Sequence, residues 1–352
     1  MPLSLTAEDV CRYLHDHQAP APHLDLLPAA ALRVVATAIR LGVFDALVGR
    51  PLSLTELAAG LDVDRQALSL VIAPLTTFGY LRTEGESIST TPYSDPWLFT
   101  DHPRGISSSL VFWQAVLDEL WSDLERTIRT GAPVADFYRW LEQRPALRSQ
   151  FQAMLAATAE ALANDVSTLV DISDGPARLL DVGGSHARYS VAFCKQRPEL
   201  SATIVDYPGA LEMGAEFVAA TGMADRINLR PANFLTDDLG CGFDAVLLFN
   251  ILHGLSPESG KRLLSSVAQA LAPGGRVAIM ETMLGTGSAQ GTVTAAFLEI
   301  QSLNLFHGQG GRVHRAEDIA DWLAEAGFAA PTVTAVPGST THSLIVATRS
   351  TP

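Results

Sequence analysis

The stretch from Leu179 to Pro208 constrains the fold more than any other part of this 352-residue chain. It begins with a short apolar run that ends at Gly183 and Gly184, continues through an amphipathic segment, and closes with a second apolar run that ends at Asp206. A strand, a glycine turn, a helix and a second strand in this order form a βαβ unit. Such units build open, mainly parallel sheets with helices on both faces. We therefore predict an α/β, Rossmann-like, doubly wound domain.

The same stretch predicts a bound nucleoside. Glycine lets the backbone approach a ligand, and Asp206 lies 23 positions after Gly183, a spacing that places a carboxylate on a ribose. Ser185 and His186 stand where the dinucleotide pattern G-x-G-x-x-G needs glycine, which argues against a pyrophosphate. S-adenosylmethionine, a nucleoside without a pyrophosphate, is therefore the candidate cofactor. The alternative is a glycine turn that is only a tight corner between strand and helix.

Two more apolar runs end on ionisable side chains. The first leads from Phe243 to His253, and the second leads from Arg276 to Glu281. Ligands of open parallel sheets bind at the carboxyl ends of the strands. We therefore expect Asp206, His253 and Glu281 to line one crevice.

With these motifs the chain resembles the plant caffeate-type and bacterial polyketide O-methyltransferases, class I enzymes of secondary metabolism that depend on S-adenosylmethionine. The resemblance covers nearly the whole length, including the ending from Gly310-Gly311-Arg312 to Ala326-Gly327-Phe328. It implies methyl transfer to a hydroxyl of a small aromatic molecule, with S-adenosylhomocysteine as product. The sequence has no metal-ligand spacing, so we expect no metal ion and exclude the metal-dependent catechol type.

The resemblance also assigns roles to individual positions. His253 matches the catalytic histidine, which is expected to act as general base on the acceptor, and Glu281 matches the glutamate that orients it. A structural strand-end histidine and a helix-capping glutamate are the alternatives. Cofactor contacts are expected from Gly183, Gly184, Asp206, Tyr207, Asn233 and Phe234. Acceptor contacts are expected from Met154, Thr158, Phe297, Gln301, Asn304 and His307, with core packing or, for His307, surface exposure as the alternative.

Several positions depart from the family pattern. Gly254 and Leu255 replace an Asp-Trp pair after the histidine, so any hydrogen bond from that Asp to the substrate is missing. Val313 replaces a second orienting glutamate, which leaves the imidazole one carboxylate partner. At the cofactor site, Asn233 replaces an Asp that contacts adenine, and Ser185 and Ala187 replace two glycines. Gly254 and Val313 keep an alternative open, in which the chain binds S-adenosylmethionine but catalyses hydroxylation, decarboxylation or a pericyclic rearrangement.

The N-terminal part predicts a separate domain. Residues 1–100 contain three helices and, from Leu81 to Ser89, a small hairpin, which is a winged-helix-like pattern in an otherwise all-α domain. Winged helices often bind DNA, but acids outnumber arginines in this segment and lysine is absent, which is the wrong sign for a phosphate backbone and disfavours a regulator. The resemblance implies a dimerisation domain, and hence a homodimer. Residues 101–170 are expected to form a helical linker beside the substrate pocket, and residues 171–352 the catalytic domain.

Composition sets the remaining limits. A net charge of −14, with Lys195 and Lys261 as the only lysines, argues against nucleic acid as a partner. The chain does not open with a basic stretch followed by an apolar one, and no apolar run approaches the length of a membrane span. We therefore expect a cytoplasmic protein that does not bind membranes. Cys11, Cys194 and Cys241 lack metal-ligand spacing and are predicted to be buried and reduced.

Three local signals predict element boundaries. Ser53 and Glu56 form a capping box at the start of a short helix. The tripeptide Asp174-Gly175-Pro176 predicts the turn into the catalytic domain. The segment from Thr341 to Thr348 alternates and is β-branched, which predicts a last, antiparallel edge strand.

Overall fold

The structure, a computed structural model, describes residues 6–16, 18–102, 105–172, 175–283 and 292–350. Its contacts divide the chain into two compact units, Met1–Glu119 and Leu120–Pro352. The boundary lies inside the segment 101–170 that the sequence predicts as a linker. Of the predicted turn at 174–176, Asp174 lies outside the described residues.

The first unit consists of helices and one small sheet. Its helices are α1 (Ala7–Asp9), α2 (Leu26–Leu41), α3 (Val43–Ala46), α4 (Leu54–Leu61), α5 (Arg65–Thr77) and α6 (Ser107–Ala115), with a π-helical turn at Val10–His15 and a 3₁₀ helix at Ala21–Asp25. A second π-helical turn, Val116–Leu120, ends on the first residue of the second unit. The strands β1 (Leu52–Ser53), β2 (Leu81–Glu84) and β3 (Ser87–Thr90) pair in the order β1-β3-β2. The predicted hairpin is confirmed, but the prediction of an all-α domain was wrong, because the wing recruits a third strand.

The capping box of the first unit is also confirmed. The Ser53 side chain accepts a hydrogen bond from the Glu56 N–H, and the Glu56 carboxylate accepts one from the Ser53 N–H at 2.8 Å. Because both orphan donors at the start of α4 are satisfied, the helix begins at Leu54. Gly42, with φ of 79°, ends α2 in the left-handed conformation that glycine adopts without steric cost.

The second unit alternates strands and helices after a helical start. Its helices are α7 (Leu124–Thr130), α8 (Phe137–Glu142), α9 (Pro145–Leu169), α10 (Arg188–Gln196), α11 (Pro208–Ala220), α12 (Pro257–Ala270), α13 (Thr292–Gln309) and α14 (Ala316–Glu325), with 3₁₀ turns at Trp121–Asp123 and Leu252–Gly254. Its strands are β4 (Ala177–Val182), β5 (Leu200–Asp206), β6 (Ile227–Pro231), β7 (Phe243–Phe249), β8 (Leu271–Thr282), β9 (Thr332–Ala335) and β10 (His342–Thr348).

These seven strands form one sheet in the order β6-β5-β4-β7-β8-β10-β9. Strands β4 to β8 are parallel, β10 pairs antiparallel with β8, and β9 pairs antiparallel with β10. The chain order reverses between β4 and β7, so this is the switch point at which open sheets bind ligands. Strand β10 is antiparallel as predicted, but the prediction that it forms the edge was wrong, because β9 pairs with its outer side.

Alternate residues of the strands enter two separate cores, one on each face of the sheet. Leu179 and Ile204 pack with α9, α10 and α11, whereas their neighbours Leu180 and Val205 pack with α12 and α14. The sheet is therefore doubly wound, as predicted. The three cysteines are free thiols, but only Cys194 is buried, so the prediction of burial was wrong for the other two.

Candidate active site

The loop after β4 packs tightly against the protein on both sides. The Gly183 N–H donates to the carbonyl of Val205 at 2.8 Å, which ties the loop to β5. A Cβ on Gly183 would overlap the Ile251 side chain, and one on Gly184 would lie 2.5 Å from the Asp181 carboxylate. Both glycines are therefore required by the packing of the loop itself.

Ser185 and Ala187, the two residues that replace family glycines, hold the backbone that glycine favours. Their φ angles are +30° and +63°, which costs an L-residue roughly 1 kcal/mol. The Ser185 side chain donates to the carbonyl of Ala210 at 3.1 Å. Gly214 on α11 admits the Ser185 carbonyl, which a Cβ there would overlap. Contacts to α11 thus hold the loop in shape without glycine at these two positions.

Asp206 ends β5 beside this loop. Its carboxylate accepts the Ser185 N–H at 3.1 Å and the Tyr207 N–H at 2.8 Å, and the residue is only 7% exposed. Burial raises the pKa of the carboxyl to about 6, and the two N–H donors only partly offset that effect. Each carboxylate oxygen keeps a lone pair for a further donor.

Two buried polar residues of the loop region were missed by the sequence analysis. Asp181 lies inside β4, accepts a hydrogen bond from the Ser190 hydroxyl at 2.7 Å, and has its pKa raised by burial to about 7. His186 is buried, and burial, with a smaller effect of Arg188, lowers its pKa to about 4. An ionisable residue within the apolar run Leu179–Val182 was the available signal for Asp181.

Three aromatic rings, those of Tyr138 on α8, Tyr207 after β5, and Phe234, lie next to one another in space. The centroids of Tyr138 and Tyr207 are 6.3 Å apart, and those of Tyr207 and Phe234 are 6.4 Å apart. Asn233 precedes Phe234 and accepts the Leu235 N–H on Oδ1 at 3.0 Å, which leaves that oxygen one lone pair and the amide its two donors. The predicted pair Tyr207 and Phe234 is therefore brought together.

The structure brings His253 and Glu281 into contact. His253 lies in the 3₁₀ turn after β7, and its Nδ1 is 2.6 Å from Oε2 of Glu281 at the end of β8. The two atoms do not have the alignment of a hydrogen bond, so the contact is a close approach of the carboxylate to the ring nitrogen. The other oxygen, Oε1, accepts the N–H groups of Ile251 at 2.8 Å and Leu252 at 2.6 Å. One buried carboxylate thus holds both the turn and its imidazole.

Two further histidines lie near this carboxylate. His314 is buried, its Nε2 lies 3.2 Å from the Leu252 carbonyl, and its ring meets Trp322 edge to face. His342 contacts the Ser339 hydroxyl through Nδ1 at 2.9 Å, and burial lowers its pKa to about 4. The Glu281 charge acts on both rings in the direction of a higher pKa. No local sequence pattern places either ring beside Glu281.

The structure shows what surrounds Gly254 and Val313, the two positions near His253 that differ from the family pattern. A Cβ on Gly254 would overlap Oε1 of Gln309, so the Gln309 amide fills the space of a side chain at this position. Val313 is buried, and its N–H donates to the Ser302 hydroxyl at 3.3 Å. Neither position offers a carboxylate to the imidazole.

The predicted acceptor residues on α13 differ in their surroundings. His307 is fully buried, with Nδ1 2.8 Å from the Thr127 hydroxyl and Nε2 2.8 Å from the Leu120 carbonyl, so the alternative of surface exposure is excluded. Asn304 accepts the Trp121 indole N–H at 3.0 Å. Gln301 has its Oε1 buried without a hydrogen-bond partner among the described residues, and Phe297 is 47% exposed.

The predicted pair on α9 is partly buried. The Thr158 hydroxyl donates to the carbonyl of Met154 at 3.2 Å, one helical turn earlier. Over the described ranges, no group of three or more His, Cys, Asp or Glu side chains is arranged to hold a metal ion. No helix in the described part of the chain has the length and apolarity that crossing a membrane requires.

Comparison with known proteins identifies the family to which this chain is similar. A family model described as an O-methyltransferase domain matches residues 121–329, and one described as an O-methyltransferase dimerisation domain matches residues 24–99. The chain is 29% identical to 3-hydroxy-5-methyl-1-naphthoate 3-O-methyltransferase of Streptomyces sahachiroi, over 84% of this chain and 85% of that one. It is 28% identical to aclacinomycin 10-hydroxylase RdmB of Streptomyces purpurascens, over 87% and 82%. The solved structure of PigF with SAH superposes with a TM-score of 0.82 at 23% identity, over 98% of this chain and 100% of that one.

Proposed function

Because this chain belongs to the O-methyltransferase family, we propose that it transfers the methyl group of S-adenosylmethionine to a hydroxyl of a small aromatic secondary metabolite, with His253 as general base. The observation that carries this proposal is the contact of His253 Nδ1 with the buried Glu281 carboxylate at the carboxyl ends of two parallel strands. Ligands of this fold bind at that end of the sheet.

The residues at the switch point fit the cofactor. Asp206 is a buried carboxylate whose pKa is raised by burial and only partly lowered by its two N–H donors, and two ribose hydroxyls would add further donors. Phe234 and Tyr207 offer ring faces to the adenine, and Asn233 offers amide donors and a free lone pair. Gly183 and Gly184 let the backbone of the loop approach the cofactor closely. The group bound here would supply a methyl on a positively charged sulfur, ready for in-line displacement.

The protein contributes a base and its alignment. With Nδ1 of His253 held by Glu281, its Nε2 is left to take the proton of an acceptor hydroxyl. The cofactor, when bound, would supply the methyl group, and its sulfur would leave with the bonding electron pair as S-adenosylhomocysteine. The carboxylate stabilises the imidazolium that forms. A phenol has a pKa near 10 and stays protonated at neutral pH, so a positioned imidazole removes its proton more effectively than water does.

The acceptor side combines apolar surface with few polar groups. Met154 and Phe297 supply apolar contact, and Gln301, with its buried unpaired Oε1, suits a hydroxyl donor on the acceptor. The remaining candidates are Thr158, Asn304 and His307. Of these, His307 has both nitrogens bonded to protein, so it acts through its ring edge and by fixing α13.

The experiment measures S-adenosylhomocysteine and methylated product from a panel of hydroxynaphthoates and other phenols. His253→Ala should lower kcat by about 10²- to 10⁴-fold, the worth of a positioned base, with partial recovery as pH approaches the acceptor pKa. His23→Ala, which removes an exposed histidine, is the matched control. Product without S-adenosylhomocysteine would point to a non-methylating reaction such as the hydroxylation named for one relative. Normal turnover of His253→Ala would contradict the assignment of His253 as the general base.

We also propose that the protein is a homodimer. The family model that matches residues 24–99 is named for dimerisation. In the same unit, large apolar side chains are exposed, including Leu26 at 66% and Leu70 at 73%. Exposed apolar surface of this kind marks interfaces. Sedimentation should give twice the mass of the chain at micromolar concentration, and a monomer would contradict the proposal.

A further inference from the structure

We propose that His314 is a positioning residue of the methyl-transfer reaction: its Nε2–H holds the Leu252 carbonyl and thereby fixes the turn that carries His253. The inference rests on the proposed function of His253. The backbone of that turn is held by side chains from two directions. Glu281 accepts the N–H groups of Ile251 and Leu252, and His314 donates to the carbonyl of Leu252.

The segment that carries His314 is built to approach this turn. Gly311 lies directly against it, because a Cβ there would overlap the carbonyl oxygen of His253 and lie 2.7 Å from the Leu255 nitrogen. Val313, the next residue but one, is buried and apolar. The segment therefore reaches the catalytic turn through backbone contact and one side-chain hydrogen bond, that of His314.

The chemistry of the ring agrees with a donor role. Leu252 offers a carbonyl oxygen, so the nitrogen facing it carries hydrogen. Burial lowers the pKa of His314 and so favours the neutral ring, and the contact with the Leu252 carbonyl assigns its hydrogen to Nε2. The other nitrogen, Nδ1, is buried with no aligned hydrogen-bond partner among the described residues. A ring kept only for packing would not need a polar atom in this place, so the bond to Leu252 accounts for a histidine here.

Two substitutions separate the hydrogen bond from the packing of the ring on Trp322, 4.8 Å away. His314→Gln keeps a donor near the Nε2 position and loses the ring, whereas His314→Phe keeps the ring and loses the donor. We expect His314→Phe to lower kcat by about tenfold, because small misplacement of a catalytic group is costly, with KM for the cofactor unchanged. His314→Gln should keep most of the activity.

Rates are expressed per cofactor-binding site, counted by calorimetric titration with S-adenosylhomocysteine, so that unfolded protein does not enter. Leu323→Ala, a fully buried truncation in α14, is the matched control and should lower the melting temperature with kcat per site unchanged. Activity retained by Phe and lost by Gln would show that the ring acts through packing and would overturn the inference. If both variants are active while His253→Ala is inactive, the inference fails and the proposed base stands. If His253→Ala is active, the proposed function fails first.

Discussion

Cofactor binding should release protons from Asp206, and the amount follows from its surroundings. The carboxyl is 7% exposed, its two donors are the N–H groups of Ser185 and Tyr207, and burial raises its pKa to about 6. Ribose hydroxyls donate hydrogen bonds to the ionised form and so lower this pKa in the complex. Near pH 6 the ligand-free protein therefore holds a fraction of a proton that the complex gives up.

The magnitude is set by the fraction of Asp206 that is protonated before binding. With a pKa of about 6, about half of the empty sites carry the proton at pH 6 and about one in a hundred at pH 8. Binding should thus release about half a proton at pH 6 and almost none at pH 8. Asp206→Asn removes this contribution, and it weakens affinity by about 2 kcal/mol, because charge-assisted hydrogen bonds to the ribose are lost.

Calorimetric titration with S-adenosylhomocysteine in phosphate and in imidazole buffers measures the release. The observed enthalpy should differ between buffers at pH 6, and the wild-type protein should release about half a proton more than Asp206→Asn. The ligand's own amino group contributes equally to both proteins. The Asp206 charge raises the pKa of nearby Asp181, so the difference reports Asp206 together with its effect on Asp181. Equal release from the two proteins, or a release independent of pH, would refute the reasoning.

Three further substitutions test the catalytic turn. Glu281→Gln should lower kcat by about 10²- to 10⁴-fold with cofactor affinity unchanged, since an amide N–H facing Nδ1 favours the imidazole tautomer that cannot take a proton on Nε2; unchanged kcat would contradict this. Gly311→Ala should lower kcat at least about tenfold, because its Cβ displaces the His253 carbonyl, and kinetics per binding site would detect it. Gly254→Asp should fold, but its melting temperature should fall because the new side chain clashes with Gln309. Adding Gln309→Ala should recover part of that loss, and strictly additive effects of the two substitutions on thermal unfolding would exclude the contact.

The sequence predicted those parts of the molecule that follow from periodicity and strand order. The βαβ unit and the parallel sheet were readable because buried strands give continuous apolar runs. The approach of His253 to Glu281 followed, since the carboxyl ends of neighbouring parallel strands meet. Capping at Ser53 was readable because it involves residues three apart. The prediction missed β9, because the strand is only four residues long and all four of its side chains are exposed.

Side chains that reach the site from distant parts of the chain were not predictable. His314 meets Leu252 across 62 residues, and His342 lies near Glu281 because β10 pairs antiparallel with β8. No local pattern encodes either contact. His307 matched a family position, but its two hydrogen bonds to Leu120 and Thr127 depend on how α13 packs on the helices before α8.

Helix α13 has one half that is fixed and one half that is open to change. Its C-terminal half is anchored by the buried His307, whereas its N-terminal half exposes Val293 at 84%, Phe297 at 47% and Ile300 at 55%. Substitutions in the exposed half break no buried hydrogen bond and leave the turn at His253 untouched. Substitutions in the exposed half of α13 can therefore change the acceptor while the residues that carry the chemistry stay the same. A mutant library designed to change the acceptor should vary these three positions.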